Sequence, residues 1–147
     1  MITALKFAAI FVGTLGYAVV YNVPKKQLFF VGLTGCIGYV VYTILGEYEV
    51  LGCFLGACAV ASMAEILSRT RKDAATLFII PGIIPLVPGA KLYNMVLCLM
   101  RHNYLDAANL GVLVLSYAGS IAMAILLVSS TVRSVTRYRK SKYRSQS

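Results

Sequence analysis

Apolar residues follow one another almost without interruption from Ile2 to Tyr21, and the pattern returns four more times, over residues 27–45, 50–68, 74–100 and 107–132. Up to residue 132, charged residues gather in the short breaks between these runs, Asn22 to Lys26, the acidic turn Gly46-Glu47-Tyr48-Glu49, Arg69 to Asp73, and Arg101 to Asp106, with Lys6, Glu65 and Lys91 inside runs as the exceptions. Each run supplies the ~20 residues that a helix needs to cross ~30 Å of hydrocarbon. The pattern therefore predicts an all-α polytopic membrane protein with about five transmembrane helices, the fourth interrupted by a cluster of prolines and glycines. It forms a single transmembrane domain over residues 1–132, followed by a basic tail over 133–147. The first run is read as a span and not as a signal peptide, because its basic pair, Lys25 and Lys26, follows the apolar stretch instead of preceding it.

Composition sharpens this picture. Of 147 residues, 59% are apolar and 13% charged, about half the charge of an average soluble domain. The net charge of +9 could suggest nucleic acid, but the basic residues sit in loops and in the tail, a distribution that follows membrane orientation. No zinc-finger spacing or aromatic RNA-binding box accompanies them, so a nucleic-acid partner is not expected. Lys25 and Lys26 occupy the first loop, Arg69, Arg71 and Lys72 the third, and Arg133, Arg137, Arg139, Lys140, Lys142 and Arg144 the tail; the second loop has no Lys or Arg and the fourth only Arg101. Five crossings with the N-terminus outside put every basic-rich segment in the cytoplasm, where the tail would lie on anionic lipids.

Glycine forms close-packing faces: Gly32, Gly35 and Gly38 on the second run, and Gly52 with Gly56 in a G-x-x-x-G on the third. The four cysteines lie within apolar runs and are read as packing residues. No metal ligand set is evident and no cofactor is implied.

The run IIPGIIPLVPGAKLY, from Ile79 to Tyr93, is where chemistry is expected. Pro81, Pro85 and Pro88 disfavour helix at Ile80, Ile84 and Val87, because each proline crowds the residue before it. Backbone freed in this way inside a membrane must face protein or a wet cavity. The expectation is a break near mid-depth, with a second half-helix starting near Gly89 whose N-terminus favours a carboxylate. A purely structural kink is the alternative. Lys91, in the first turn of that half-helix, either holds a carboxylate or snorkels to a head group or partner. Glu65 either pairs with Arg69 four residues on or turns inward as a proton carrier. His102 and Asp106 resemble the His-plus-acid pairs of membrane acyltransferases but lack the rest of such a site, so an enzyme is not expected.

The run from Pro81 to Tyr93, P-G-I-I-P-L-V-P-G-A-x-x-Y, resembles the signature of the threonine/serine exporter family, in its small membrane-only subunit or C-terminal half. Tyr21-Asn22-Val23-Pro24-Lys25, Ala64-Glu65-Ile66 and Ala118-Gly119-Ser120-Ile121-Ala122 resemble further family segments. The resemblance implies a bacterial inner-membrane subunit that joins a larger membrane subunit of the same family. The pair would export threonine and serine, or succinate in a related two-subunit system, driven by the proton gradient. Pro81, Gly82, Pro85, Pro88, Gly89, Tyr93 and Asn22 fall on the family motifs and join Lys91 as candidate substrate contacts, with Glu65 as the candidate for proton coupling. The alternative is a non-transporting scaffold whose broken helix docks a partner.

Overall fold

The computed structural model describes the backbone of residues 2–45 and 48–144, and the side chains of 5–45 and 48–134. Six α-helices follow in order: α1 (Ile2–Val20), α2 (Leu28–Ile44), α3 (Glu49–Arg71), α4 (Thr76–Ile83), α5 (Gly89–Met100) and α6 (Tyr104–Arg144), with a 3-10 turn over Ile84–Leu86. No strand occurs among the described residues, and the chain is an all-α membrane protein. By length and apolarity α3 and the Tyr104–Ser134 part of α6 each suffice to cross a membrane, and Thr76–Leu86 with Gly89–Met100 qualify together as one pair bent by 56°.

Helix α4 is the centre of the bundle, in contact with α1, α2 and α3, while α6 lies along α3. The α4 sequence, TLFIIPGI, is apolar after Thr76 and leaves Phe78, Ile79, Pro81, Gly82 and Ile83 buried. Buried hydroxyls are satisfied locally: Thr14 donates to the Ile10 carbonyl and Thr34 to that of Phe30, each at 2.8 Å. The α2–α3 crossing is made by glycine. A Cβ added at Gly56 would stand 2.8 Å from the carbonyl oxygen of Gly38, so the two backbones touch where no other residue fits.

One end of the bundle gathers the first and third loops. Gln27 Nε2 donates to Asp73 Oδ2 at 2.6 Å, the Arg71 guanidinium sits 4.0 Å over the Phe30 ring, and Arg69 donates to the Val132 carbonyl at 3.4 Å. From this basic end, Arg69 back to Glu49 spans twenty residues of α3, or about 30 Å.

Two sequence expectations change here. Ile80 and Ile84 are helical, not extended, with Pro81 inside α4 and Pro85 within the 3-10 turn. The core explains this. Gly82 fits against Val60 and Thr34, where an added Cβ would lie 3.0 and 3.2 Å from their methyl carbons, and this packing holds the helical path across the lost donor. Only Val87, before Pro88, is extended, at φ −66° and ψ 128°. Second, the break is not beside the middle of α3. The Leu86 carbonyl receives the Cys53 thiol at 3.8 Å, and Lys91 reaches Glu49, the first residue of α3. Pro81, Gly82, Ile83 and Leu86 are buried in packed protein, with Ile84 and Pro85 half-buried.

The backbone of α6 continues helically to Arg144. The expected lipid contact of the tail rests on side chains beyond Ser134, which lie outside the described residues, as does Glu47 of the acidic turn.

Candidate functional site

Three helices meet at the bend. Val87 and Pro88 turn the chain, the Gly89 amide donates to the Val87 carbonyl at 2.8 Å, and α5 departs at 56° to the helix before it. It then packs along α6, and reaches α3 through the Lys91 side chain. Helices α5 and α6 form an antiparallel hairpin whose turn is closed by His102 at φ 58°, with its amide donating to Leu99 and that of Asn103 to Cys98.

Lys91, in the first turn of α5, forms a salt bridge with Glu49. The same carboxylate oxygen accepts a hydrogen bond of 2.8 Å from the Tyr117 hydroxyl, and the Lys91 ammonium lies 5.1 Å from the Tyr117 ring centre. Tyr117 is 2% exposed, so α6 supplies a buried aromatic wall to the pair. The geometry resolves two local conflicts. A lysine opposes the positive end of its own helix, and Glu49 in the first turn of α3 both favours that helix's dipole and neutralises the lysine. With 28% and 48% of the two side chains exposed, the ion pair contributes about 1 kcal/mol at most; its weight is positional.

The other candidate residues separate into groups. Pro81 and Gly82 are buried in the core, Pro85 and Pro88 are half-buried at the bend, and Gly89 and Tyr93 are exposed, with nothing within 4 Å of a Cβ added at Gly89. Asn22, at φ 54°, ends α1, its amide donating to Val19 and that of Val23 to Ala18 in the paired pattern of a Schellman stop. Glu65 is half-buried and lines a cavity of about 470 Å³ between α3, α4 and α6 together with Arg133. Among the described residues it forms no salt bridge with Arg69. His102 and Asp106 take separate partners, the Tyr104 hydroxyl at 3.0 Å and the Asn103 amide at 2.5 Å. Among the described residues no group of three or more His, Cys, Asp or Glu could hold a metal ion. Cys53 is fully buried, and the other three cysteines are half-buried.

Sequence reading missed Glu49, Tyr117 and Arg133 as site residues. Glu49 carried one usable signal, an acid at the start of an apolar run, where it suits a helix N-terminus. Tyr117, in the interior of the last run, carried none.

Residues 6–131 match the family described as Threonine/Serine exporter, ThrE. A protein of Haemophilus influenzae, itself uncharacterized, is 29% identical over 101 residues, which are 67% of this chain and 33% of that protein. The chain thus spans about a third of the length of that relative. No solved structure matches it.

Proposed function

Because the chain belongs to the threonine/serine exporter family, a family of membrane transporters, we propose that it is one subunit of a secondary exporter. It moves threonine, serine or small dicarboxylates out of a bacterial cell across the cytoplasmic membrane. The basic end faces the cytoplasm and the N-terminus lies outside, in keeping with the distribution of Lys and Arg. The proton gradient drives export, with Glu65 as the proton carrier. A larger membrane subunit completes the pathway. In support of it, α5 packs along α6 and leaves Tyr93, Val96 and Met100 exposed, and the Haemophilus influenzae protein is about three times as long as the stretch it shares with this chain.

The observation that carries this reading is the carboxylate already held at Lys91. A lysine one turn past the bend, backed by a buried tyrosine and neutralised by an exposed acid, has the chemistry to exchange Glu49 for the carboxylate of a passing solute. Efflux of labelled serine, threonine and succinate tests it, in cells expressing this chain with its partner subunit. Lys91→Gln should lower efflux of the transported solute at least ten-fold at equal membrane abundance. Undiminished efflux in that variant would leave the chain as a scaffold.

A further inference from the structure

The carboxylate of Glu49 is held by two donors that belong to other helices. Its Oε2 atom takes the ammonium of Lys91, from α5, and the hydroxyl of Tyr117, from α6, the latter at 2.8 Å. Helices α5 and α6 pack on one another as a hairpin, whereas Glu49 comes from the first turn of α3. The donors therefore keep their arrangement when the acid leaves. The Tyr117 ring, 5.1 Å from the Lys91 ammonium, still holds the cation, and burial fixes the ring itself. What remains is a charge-assisted seat for one carboxylate oxygen.

Glu49 has somewhere else to go. About half of its side chain is exposed, and a cavity of about 490 Å³ opens beside it, lined by Tyr48, Glu49, Val50 and Leu51. Tyr48 makes no side-chain cap on α3, so the first-turn amides and the positive end of that helix offer the displaced carboxylate a second position. We propose that Lys91 and Tyr117 form a carboxylate-binding seat and that Glu49 is its tethered occupant, a built-in competitor that caps the seat whenever no solute fills it. The inference rests on the exporter reading for the direction of traffic, and goes beyond it in making Tyr117 a solute contact and Glu49 a one-way cap. A group on a short tether acts at an effective concentration on the order of millimolar. Solute accumulated in the cell above that level displaces Glu49, whereas dilute solute outside does not. With the basic end inside, the seat lies at the outer end of α3, so Glu49 closes it behind the departing solute.

The test reads Lys91 directly. The full chain in nanodiscs of neutral lipid is treated with a water-soluble acetylating reagent, and mass spectrometry compares Lys91 with Lys25 and Lys26. Glu49→Gln keeps an acceptor for Tyr117 but loosens the hold on the ammonium, and should raise acetylation of Lys91 about five-fold or more. Sodium acetate, against chloride at the same ionic strength, should restore protection in Glu49→Gln. It should add none in the parent, where Glu49 already fills the seat, and none in the double variant Glu49→Gln/Tyr117→Phe. Should Glu49→Gln not fold, Glu49→Asp withdraws the charge by one methylene and should show the same acetate protection at smaller amplitude. No acetate protection in either variant, equal protection in the parent, or protection that survives Tyr117→Phe would overturn the proposal. Transport separates the two readings. In right-side-out membrane vesicles without an energy source, this chain and its partner subunit should take up dilute labelled serine, threonine or succinate about five-fold faster or more with Glu49→Gln, and equal uptake would remove the cap. Acetate protection without export of any of these solutes defeats the exporter and leaves the seat, whereas export with a Lys91 indifferent to acetate defeats the seat and leaves the exporter.

Discussion

Adding one methyl group at Gly56 should loosen the bundle, and the same group at Gly119 should tighten it. At Gly56 the new carbon would lie 2.8 Å from the Gly38 carbonyl oxygen and 3.1 Å from a Leu86 methyl. Backbone cannot swing aside as a side chain does, so α2 and α3 must part by roughly 0.6 Å to reach the 3.4 Å of ordinary contact. Overpacking of this kind costs about 1–3 kcal/mol, offset by the ~0.5–1 kcal/mol that alanine gains over glycine in a helix. Taking the middle of each range, the net expectation for Gly56→Ala is a loss of about 1 kcal/mol. Gly119 has nothing within 4 Å of its added Cβ, so Gly119→Ala keeps only the propensity gain of about 0.5–1 kcal/mol. Reversible unfolding of the purified protein in mixed micelles, followed by circular dichroism, measures both. If Gly56→Ala unfolds at or beyond the midpoint of the parent, the claim that α2 and α3 meet backbone to backbone is wrong.

Three shorter predictions concern the site. Asn22→Gly should leave stability and efflux within error of the parent, because glycine accepts φ 54° freely; a loss of efflux with an intact fold would make the Asn22 side chain a solute contact after all. Glu49→Ala should destabilise the protein by about 1–3 kcal/mol more than Glu49→Gln, since only alanine leaves the buried Tyr117 hydroxyl without its acceptor, and equal unfolding midpoints would remove that hydrogen bond from the account. Cys53 should resist a membrane-permeant maleimide until the protein is unfolded, whereas half-buried Cys98 should react first; mass spectrometry of the labelled peptides decides the order.

Much of the helical plan was legible because it rests on composition: apolar runs of sufficient length separated by polar breaks. What failed was local reasoning about Pro81 and Pro85. Each disfavours helix in isolation, but the burial of Pro81 and the packing of Gly82 beside it against Val60 and Thr34 outweigh a lost donor, and that contact joins residues far apart in sequence. The same distance hid the partner of Lys91. The conflict between a lysine and its helix dipole was visible in one turn of sequence, but the acid that resolves it lies 42 residues earlier and the tyrosine that braces both lies 26 residues later. Glu65 was singled out as the acid within a span, yet Arg69, at the textual spacing for a pair, turns to the Val132 carbonyl, while Arg133 shares the Glu65 cavity from another helix. Asn22 was noticed through a motif, and its left-handed backbone gives that motif a reason that spacing alone does not express.

Among the described residues every left-handed position belongs to a residue other than glycine: Asn22, Lys72 and His102. Glycine meanwhile sits inside helices and does the work of contact, as at Gly38, Gly56 and Gly82. For protein engineering this reverses the usual advice. Trimming Gly38, Gly56 or Gly82 to stiffen the chain would damage its seams, whereas glycine at Lys72 or His102 would relieve a backbone strain that Asn22, at ease in the left-handed region, does not carry.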